Sequence, residues 1–290
     1  MEKIITFQSE SIVEVLFTIQ KSLQNCELLK VRVIEDPNAI EISTWCEIAE
    51  YFDCRLKLQK IDNSDSLCFI LDKMKLLSFE HKDESEKYGE GSEYTLINKL
   101  KEPWFIMDML AALEFLMPQK NDTIIDLGSN KGDLFSIFSI WNQELSNSFH
   151  YIGLDHSQSA IEQANNSFPE NNFKFICNKL DNYPKEKIPS FDLLMSVGTL
   201  QSTNLEGKDV FKNFFQHGMK KNGKVLLAFP NCRYAKEGVM YGARTKNFKG
   251  RDYSLVLKDC MYYKKYLQQH GYRVWVYGKY YLFLAARKIN

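Results

Sequence analysis

The chain has 290 residues, of which 44% are hydrophobic and 26% are charged, a composition typical of an ordinary soluble globular protein. Its 37 Lys and Arg residues balance 37 Asp and Glu residues, so no bulk positive field favours nucleic acid as a partner. No apolar run approaches the ~18–20 residues that cross a bilayer, and the first residues, MEKIITFQSES, carry no hydrophobic secretion signal. Seven cysteines without a C-x-x-C pair predict free thiols and no metal site. We therefore expect a cytoplasmic protein without a membrane span.

The first part of the chain alternates between short strands and helices, in the order β-α-β-α-β-β over residues 2–73. Ser11 can cap the first helix, and Ser43 can cap the second. Their predicted buried faces are Ile12, Val15, Leu16, Ile19 and Leu23 in the first helix, and Trp45, Ile48, Ala49 and Phe52 in the second.

This element order, together with the helix lengths, resembles the sulfur-carrier (TusA-like or SirA-like) fold. The active cysteine of that family lies in a C-P-x-P motif at the first helix, where this chain has SESIVEV, so sulfur carriage is not implied. We interpret residues 1–75 as a small two-layer α/β domain that binds a protein partner or a second copy, or holds substrate. The polar stretch that follows predicts a linker, and residues 76–119 are assigned to linker and lid helices. The predicted helices are Tyr94–Lys101 and Trp104–Leu116, with Pro103 at a helix start.

The next stretch, TIIDLGSNKGDL from Thr123 to Leu134, predicts a buried strand, a tight turn and the start of a helix. Glycines at such a turn allow positive φ and let a ligand approach the backbone, while the first-turn N–H groups of the helix face that ligand. The spacing Asp126-x-Gly128-x-Asn130-x-Gly132 does not fit the dinucleotide pattern G-x-G-x-x-G. Asn130 tolerates the left-handed region, so the turn is expected to form.

The turn resembles motif I of the class I S-adenosylmethionine (SAM) methyltransferases, D/E-x-G-x-G-x-G, with Asn130 at the middle glycine. The resemblance implies a Rossmann-like, seven-stranded α/β sheet over residues 120–290. It also implies SAM as the cofactor, bound by Asp126, Gly128, Ser129, Asn130 and Gly132. Helices just before motif I often close over the pocket in this family. Tyr94 and Trp104 are therefore lid candidates, with Tyr94 also a substrate-binding candidate, although we favour a core position for Trp104 because tryptophan is usually largely buried.

A second strand, residues 150–155, ends in Asp155, and an acid at this place accepts the ribose hydroxyls in nucleotide folds of this type. His156 is expected to flank the cofactor, and Ser157 to cap the next helix. After the third strand, residues 173–177, the family places an acid and a small residue against adenine. Those positions are Lys179 and Leu180 here, so we expect backbone groups, or Asp181 from a shifted loop, to contribute.

The fourth strand, FDLLMSV, is followed by Gly-Thr-Leu-Gln, which resembles motif IV of small-molecule methyltransferases, Ser-x-Gly-x-Leu and then often His. The resemblance implies that Ser196 and Gly198 form the pocket floor beside the transferred methyl group. Gln201 stands where the His would be and is a candidate for catalysis and for acceptor binding. The motif is unlike the Asn/Asp-Pro-Pro-Tyr sequence of DNA and glutamine methyltransferases.

The residues after the fifth strand, residues 223–229, are predicted to select the acceptor. This loop is polar and aromatic, and its substrate-binding candidates are Asn231, Arg233, Tyr234 and Tyr241. The alternative is a solvent-facing loop. Cys232 resembles the nucleophile of RNA cytosine-5 methyltransferases, but their Pro-Cys after the fourth strand is absent, so an ordinary thiol is favoured. A helix ending near Gly271 and two strands complete the predicted sheet.

The sequence therefore predicts a SAM-dependent methyltransferase that acts on an unidentified small-molecule acceptor. Two alternatives stay open: an RNA methyltransferase whose N-terminal domain holds RNA, and a non-catalytic SAM-binding adaptor. Gln201, Tyr234 and His156 are candidates for a catalytic role by position, and of these only His156 titrates near neutrality.

Overall fold

The computed structural model describes residues 2–8, 10–34, 42–52, 54–59, 66–73, 99–202, 205–235, 238–241 and 254–289. Contacts divide the chain into two units, Met1–Ser78 with Arg233–Met240, and Phe79–Cys232 with Tyr241–Asn290. None of the described helices combines the length and the apolarity that a membrane crossing requires.

The N-terminal unit has the predicted order of strands and helices. Its elements are β1 (Glu2–Phe7), α1 (Ile12–Leu23), β2 (Leu28–Ile34), α2 (Ile42–Tyr51), β3 (Cys54–Gln59) and β4 (Ser66–Lys73). The strands form a sheet in the order β1-β2-β4-β3, in which β1 and β2 are parallel and the other two pairings are antiparallel. The resemblance to the sulfur-carrier fold stays a prediction.

A capping box starts α1, as the sequence suggested for Ser11. The Ser11 hydroxyl accepts the N–H of Glu14 at 3.4 Å, and the Glu14 carboxylate accepts the N–H of Ser11 at 2.9 Å. Ile12 was expected on the buried face but is 45% exposed, because it lies in the first turn. The cap predicted at Ser43 is also wrong, since α2 begins one residue earlier, at Ile42. Trp45 is fully buried, as expected.

The rest of the chain supplies a larger α/β unit and a two-stranded ribbon. The elements are α3 (Pro103–Leu116), β5 (Thr123–Leu127), α4 (Ser136–Trp141), α5 (Gln143–Ser146), β6 (His150–Asp155), α6 (Gln158–Ser167), β7 (Phe173–Cys177), β8 (Phe191–Val197), α7 (Gly207–Gly218), β9 (Met219–Pro230), β10 (Cys232–Ala235), β11 (Gly238–Tyr241), α8 (Ser254–Gln269), β12 (Tyr272–Tyr277) and β13 (Tyr281–Lys288). Single 3₁₀ turns occur at Lys99–Lys101, Asp133–Phe135 and Lys185–Lys187.

Seven of these strands form one sheet in the order β12-β13-β9-β8-β5-β6-β7. The five strands from β9 to β7 are parallel, β13 is antiparallel to β9, and β12 is antiparallel to β13. The chain proceeds from β5 to β6 and β7 on one side, then returns to β8 and β9 on the other. This reversal next to β5 is a topological switch point, and ligands of open α/β sheets bind there, outside the carboxyl ends of the strands. The predicted Rossmann-like fold is confirmed.

Helices cover both faces of the sheet, which explains why β5 is apolar on both sides. Ile125 and Leu127 pack with side chains from α7 and α8, whereas Ile124 packs with side chains from α3 and α4. A strand buried on both faces reads as a near-continuous apolar run. Asp126 interrupts this run and is only 1% exposed, so its carboxylate requires an explanation.

Several boundaries differ from the sequence-based prediction. The helix predicted to start after the turn is broken at Asn142, whose extended backbone ends α4 and whose side chain accepts the N–H of Leu145 at 3.0 Å to cap α5. The region after β9 was predicted as a loop but contains the paired strands β10 and β11. Trp104 was expected in the core and is 55% exposed, because the buried residues of α3 lie on another face of the helix.

Candidate active site

The turn after β5 has three residues in the left-handed region. Gly128, Asn130 and Gly132 have φ values of +82°, +50° and +78°, so the asparagine takes the conformation expected for the middle glycine. The N–H groups of Gly128 and Ser129 both donate to the carbonyl of Leu154, at 2.8 and 3.0 Å. The turn is thereby fixed to the end of β6, and these two amides are not free for a ligand.

The two glycines of the turn are needed because other side chains occupy the space beside them. A β-carbon on Gly128 would stand 2.1 Å from the hydroxyl of Thr199, which comes from the loop after β8. A β-carbon on Gly132 would stand 2.8 Å from the ring of Phe175. From the sequence, we expected a ligand to approach the backbone at this turn. At Gly128 the group that approaches closely is the side chain of Thr199, which the sequence analysis did not identify.

Asp155 lies at the carboxyl end of β6 and is 7% exposed. One carboxylate oxygen accepts the N–H of Asn130 and the other accepts the N–H of Ser157, both at 2.9 Å. The Nδ1 of His156 lies 3.4 Å from the same carboxylate. A carboxylate has about four acceptor positions, so two of them remain for the hydroxyls of a ribose. The ribose role of Asp155 stays a prediction, and the geometry is compatible with it.

Asp126 is a buried carboxylate, and neither of its oxygens has a hydrogen-bond partner among the described residues. Burial raises its pKa to about 7; the nearby Lys99 ammonium lowers this pKa and the Asp155 carboxylate raises it further. The hydroxyl of Ser129 is likewise buried without a partner in the described part of the chain. Buried polar groups are normally paired, and a polar ligand that carries positive charge would pair these atoms. SAM, with its sulfonium and its ammonium, fits that requirement.

The strand β8 and its loop contribute less of the pocket floor than predicted. The Ser196 hydroxyl donates to the carbonyl of Leu127 at 3.0 Å and is buried between the two strands, so it does not face the pocket. Gly198 has a φ of +77°, and its N–H donates to the carbonyl of Ala228 at 2.9 Å. The side-chain oxygen of Gln201 is buried and has no partner among the described residues.

The adenine corner departs from the expected arrangement. Lys179 is exposed, whereas the side chain of Leu180 is 7% exposed and packs in the hydrophobic core, so only the backbone of Leu180 is left for a contact with adenine. The carboxylate of Asp181 accepts the N–H of Glu206 at 3.2 Å. It therefore already serves the loop before α7, which weakens its case as the residue that reads adenine.

The predicted acceptor-binding residues are only partly described. Asn231 donates its backbone N–H to the carbonyl of Tyr280 and its side-chain amide to the carbonyl of Lys279, both at 2.8 Å. These bonds join the end of β9 to the turn before β13, and the role of Asn231 in acceptor binding stays a prediction. The backbones of β10 and β11 are described, but the side chains of their residues are not. The predictions for Arg233, Tyr234 and Tyr241 therefore lie outside what is described, as does the one for Tyr94.

A lysine that sequence reasoning missed also belongs to this edge of the sheet. The ammonium of Lys99 donates to the carbonyl of Val197 at 3.4 Å and acts electrostatically on Asp126. It comes from the 3₁₀ turn before α3, within a segment predicted as a lid, where only the aromatic residues were considered. Trp104 follows, and its exposed ring lies 6.1 Å from the ring of Tyr280. Among the described residues, no three His, Cys, Asp or Glu side chains are placed to hold a metal ion.

Comparison with known proteins gives a family match. A family model described as a methyltransferase domain matches residues 118–273, more than half of the chain. No curated protein matches the sequence. Among solved structures, a SAM-dependent methyltransferase from Aquifex aeolicus is 14% identical over 71% of this chain and 94% of its own, with a TM-score of 0.42. A putative SAM-dependent methyltransferase from Listeria monocytogenes is 13% identical over 65% of this chain and 100% of its own, with a TM-score of 0.45. A third match is the complex of the Haloferax volcanii Trm112 methyltransferase activator and a putative methyltransferase. It is 13% identical over 68% of this chain and 79% of its own, with a TM-score of 0.45.

Proposed function

Because the chain belongs to the methyltransferase-domain family and uses SAM as its methyl donor, we propose that it methylates a small molecule at the carboxyl edge of its sheet. The observation that carries this proposal is the juxtaposition of two buried carboxylates, Asp126 and Asp155, at the switch point of that sheet. In this proposal Asp155 accepts the ribose hydroxyls and Asp126 faces the positively charged part of the donor, which the contact of Asp155 with Asn130 and the unpartnered oxygens of Asp126 support.

The protein contributes alignment and exclusion of water. When bound, SAM supplies a methyl group on a sulfonium that carries its own leaving group. The acceptor then approaches from the side of β8 and β9, because β6 and its Asp155 lie on the opposite side of β5. The residues with described side chains on this acceptor side include Lys99, Gln201 and Pro230.

A general base is required only if the acceptor must lose a proton before it attacks. The Nδ1 of His156 lies 3.4 Å from the carboxylate of Asp155, at the end of β6. His156 therefore belongs to the ribose side and not to the acceptor side. Gln201 lies on the acceptor side but does not titrate, and it can only orient an acceptor. We therefore propose that the acceptor arrives with its reacting lone pair already available.

The charge distribution supports a small acceptor over RNA. The formal net charge is zero, and two of the three lysines on β9 are paired with acids, Lys220 with Asp192 at 2.6 Å and Lys224 with Asp122 at 2.7 Å. Paired lysines do not form the continuous basic face on which phosphate contacts depend.

The test is a transfer assay with methyl-labelled SAM, in which the purified full chain is incubated with extract that is then separated into small molecules, RNA and protein. We expect label in the small-molecule fraction, and much less label with the Asp155→Asn variant. Label in RNA would support the RNA methyltransferase alternative instead. Tight binding of SAM by calorimetry with no transfer to any fraction would identify a SAM-binding adaptor.

A further inference from the structure

Lys99 places a positive charge at the carboxyl edge of the sheet. Its ammonium is 3.4 Å from the carbonyl of Val197, the last residue of β8, and it acts on the buried carboxylate of Asp126. The side chain reaches this edge from outside the sheet, from the 3₁₀ turn Lys99–Lys101. A lysine that enters a pocket in this way supplies a cation to whatever binds there.

A space beside Gly198 is bordered by two nitrogen donors from different elements. A β-carbon on Gly198 would lie 3.9 Å from the side-chain nitrogen of Gln201 and 4.0 Å from the Nζ of Lys99. The third neighbour is the Cγ of Pro230, at 3.6 Å, and it is apolar. Both nitrogens lie within 4.0 Å of the same point, so a ligand oxygen that approached Gly198 from this side would have an ammonium and an amide N–H as neighbours, the donors that oxyanions prefer.

The position of this space along the sheet separates it from the ribose site. Gly198 follows β8 and Pro230 ends β9, whereas Asp155 ends β6, and β5 runs between the two sides. A donor that spans from Asp155 to Asp126 occupies the β6 and β5 side. The space at Gly198 is therefore on the side from which the acceptor approaches.

We propose that Lys99 and Gln201 bind an anionic oxygen of the methyl acceptor, so that the acceptor is an acidic small molecule with a carboxylate or phosphate-type group. The inference rests on the proposed function and names the chemical class of its acceptor. The Lys99 charge acts on the Asp126 carboxylate, and a cationic donor beside Asp126 would offset the same carboxylate. We therefore expect an anionic acceptor to bind more tightly when the donor is bound.

The test uses the full chain saturated with S-adenosylhomocysteine (SAH), into which benzoate and inorganic phosphate are titrated as probes by calorimetry. We expect at least one probe to bind the wild-type protein. Lys99→Met should weaken that binding tenfold or more, and Lys99→Arg should retain it, because the charge is preserved. Lys101→Met is the matched control: Lys101 is an exposed lysine of the same turn, and its loss should leave probe binding unchanged.

A second measurement tests whether Lys99 binds the carboxylate of the cofactor instead of an anionic group of the acceptor. SAH carries the carboxylate of its homocysteine part, whereas decarboxylated SAH keeps the amine and lacks only this carboxylate. Because both ligands present the same amine to Asp126, we expect Lys99→Met to change its affinity for both by the same factor. A variant that loses SAH affinity but keeps its affinity for decarboxylated SAH would assign Lys99 to the cofactor carboxylate and overturn the inference. Absence of any probe binding to the wild type, or equal probe binding by Lys99→Met, would also overturn it. A wild-type protein that does not bind SAH at all would overturn the proposed function itself, and the inference with it.

Discussion

Asp155 accepts the backbone N–H of Asn130 at 2.9 Å, and this contact joins the end of one strand to the left-handed turn that follows its neighbour. The opposite oxygen of the same carboxylate accepts the N–H of Ser157, the cap of α6. One buried acid thus organises two segments of the pocket and still has acceptor capacity for a ligand.

The first prediction concerns this carboxylate. Asp155→Asn replaces one acceptor oxygen by an amide donor, which cannot accept from Asn130 or Ser157 and removes the negative charge. A hydrogen bond to a charged group contributes about 1.5–3 kcal/mol, so SAM and SAH should both bind tenfold more weakly or worse. Calorimetry with both ligands measures this effect. A change confined to the apparent affinity of the acceptor would show that Asp155 does not hold the ribose.

The matched control for that variant is Asp192→Asn. Asp192 also accepts a backbone N–H, from Thr123 at 2.8 Å, but it lies near the start of β8, away from the carboxyl edge of the sheet. Asp192→Asn should lower thermal stability and leave SAM affinity unchanged. If both variants lose SAM affinity in proportion to their stability, the effect of Asp155→Asn is structural.

The second prediction concerns Gly128. In Gly128→Ala, the new methyl group would overlap the Thr199 hydroxyl, and the φ of +82° would strain the alanine. Because both the turn and the loop after β8 must shift, SAM affinity should fall at least tenfold while the circular dichroism stays native. Gly271→Ala separates strain from overlap, since Gly271 has a φ of +75° with no atom closer than 4.0 Å. That control should lose stability without losing SAM binding. Unchanged SAM affinity in folded Gly128→Ala would contradict the assignment of this turn.

The third prediction follows from the raised pKa of Asp126, which burial brings from an ordinary 3.8 to about 7. The folded protein keeps this proton to a higher pH than the unfolded chain does. The free energy of unfolding should therefore decrease as pH rises from about 4 to about 7, by about 4 kcal/mol at most, and then level off. Asp126→Asn should lack this contribution. Denaturant unfolding at pH 5 and pH 8 measures it, and an equal pH dependence in both proteins would contradict the prediction.

The same carboxylate predicts a pH dependence of donor binding. A positively charged ligand favours ionised Asp126, so SAM affinity should rise between pH 6 and pH 7 by up to about tenfold. SAH has no sulfonium charge, and its affinity should rise less. In Asp126→Asn the two ligands should show the same, smaller dependence on pH. A wild-type protein that binds SAM and SAH with equal pH dependence would exclude Asp126 from the region of the sulfonium.

Much of this fold could be predicted from the sequence, because its signals are local. The apolar run before Asp126, the caps at Ser11 and Ser157, and the position of Asp155 at a strand end all follow from short-range patterns. The left-handed conformation of Asn130 followed from residue type alone. These features needed no knowledge of distant contacts.

The features of the site that were wrong or missed depend on contacts between distant segments. Nothing near Ser196 in the sequence indicates that its hydroxyl is used by Leu127, 69 positions away. The roles of Thr199 beside Gly128 and of Lys99 beside Val197 likewise require the assembled sheet edge. Spacing within a motif identifies the strand, whereas the orientation of each side chain is decided by the packing of the elements around it.

The last prediction concerns the residues that follow β9. Arg233 and Tyr234 follow this strand in the sequence, and residues that follow a strand at the carboxyl edge of an open α/β sheet often select the ligand. Arg233→Ala or Tyr234→Ala should therefore reduce methyl transfer while SAM affinity stays within about twofold, well below the 1.4 kcal/mol of a tenfold change. Cys232→Ser should be nearly silent, because the partner cysteine of a covalent mechanism is absent. Measuring SAM affinity and turnover on the same preparations separates these outcomes. Lost turnover in Cys232→Ser with normal SAM binding would instead establish a covalent mechanism, and normal turnover in both other variants would move acceptor selection away from β10.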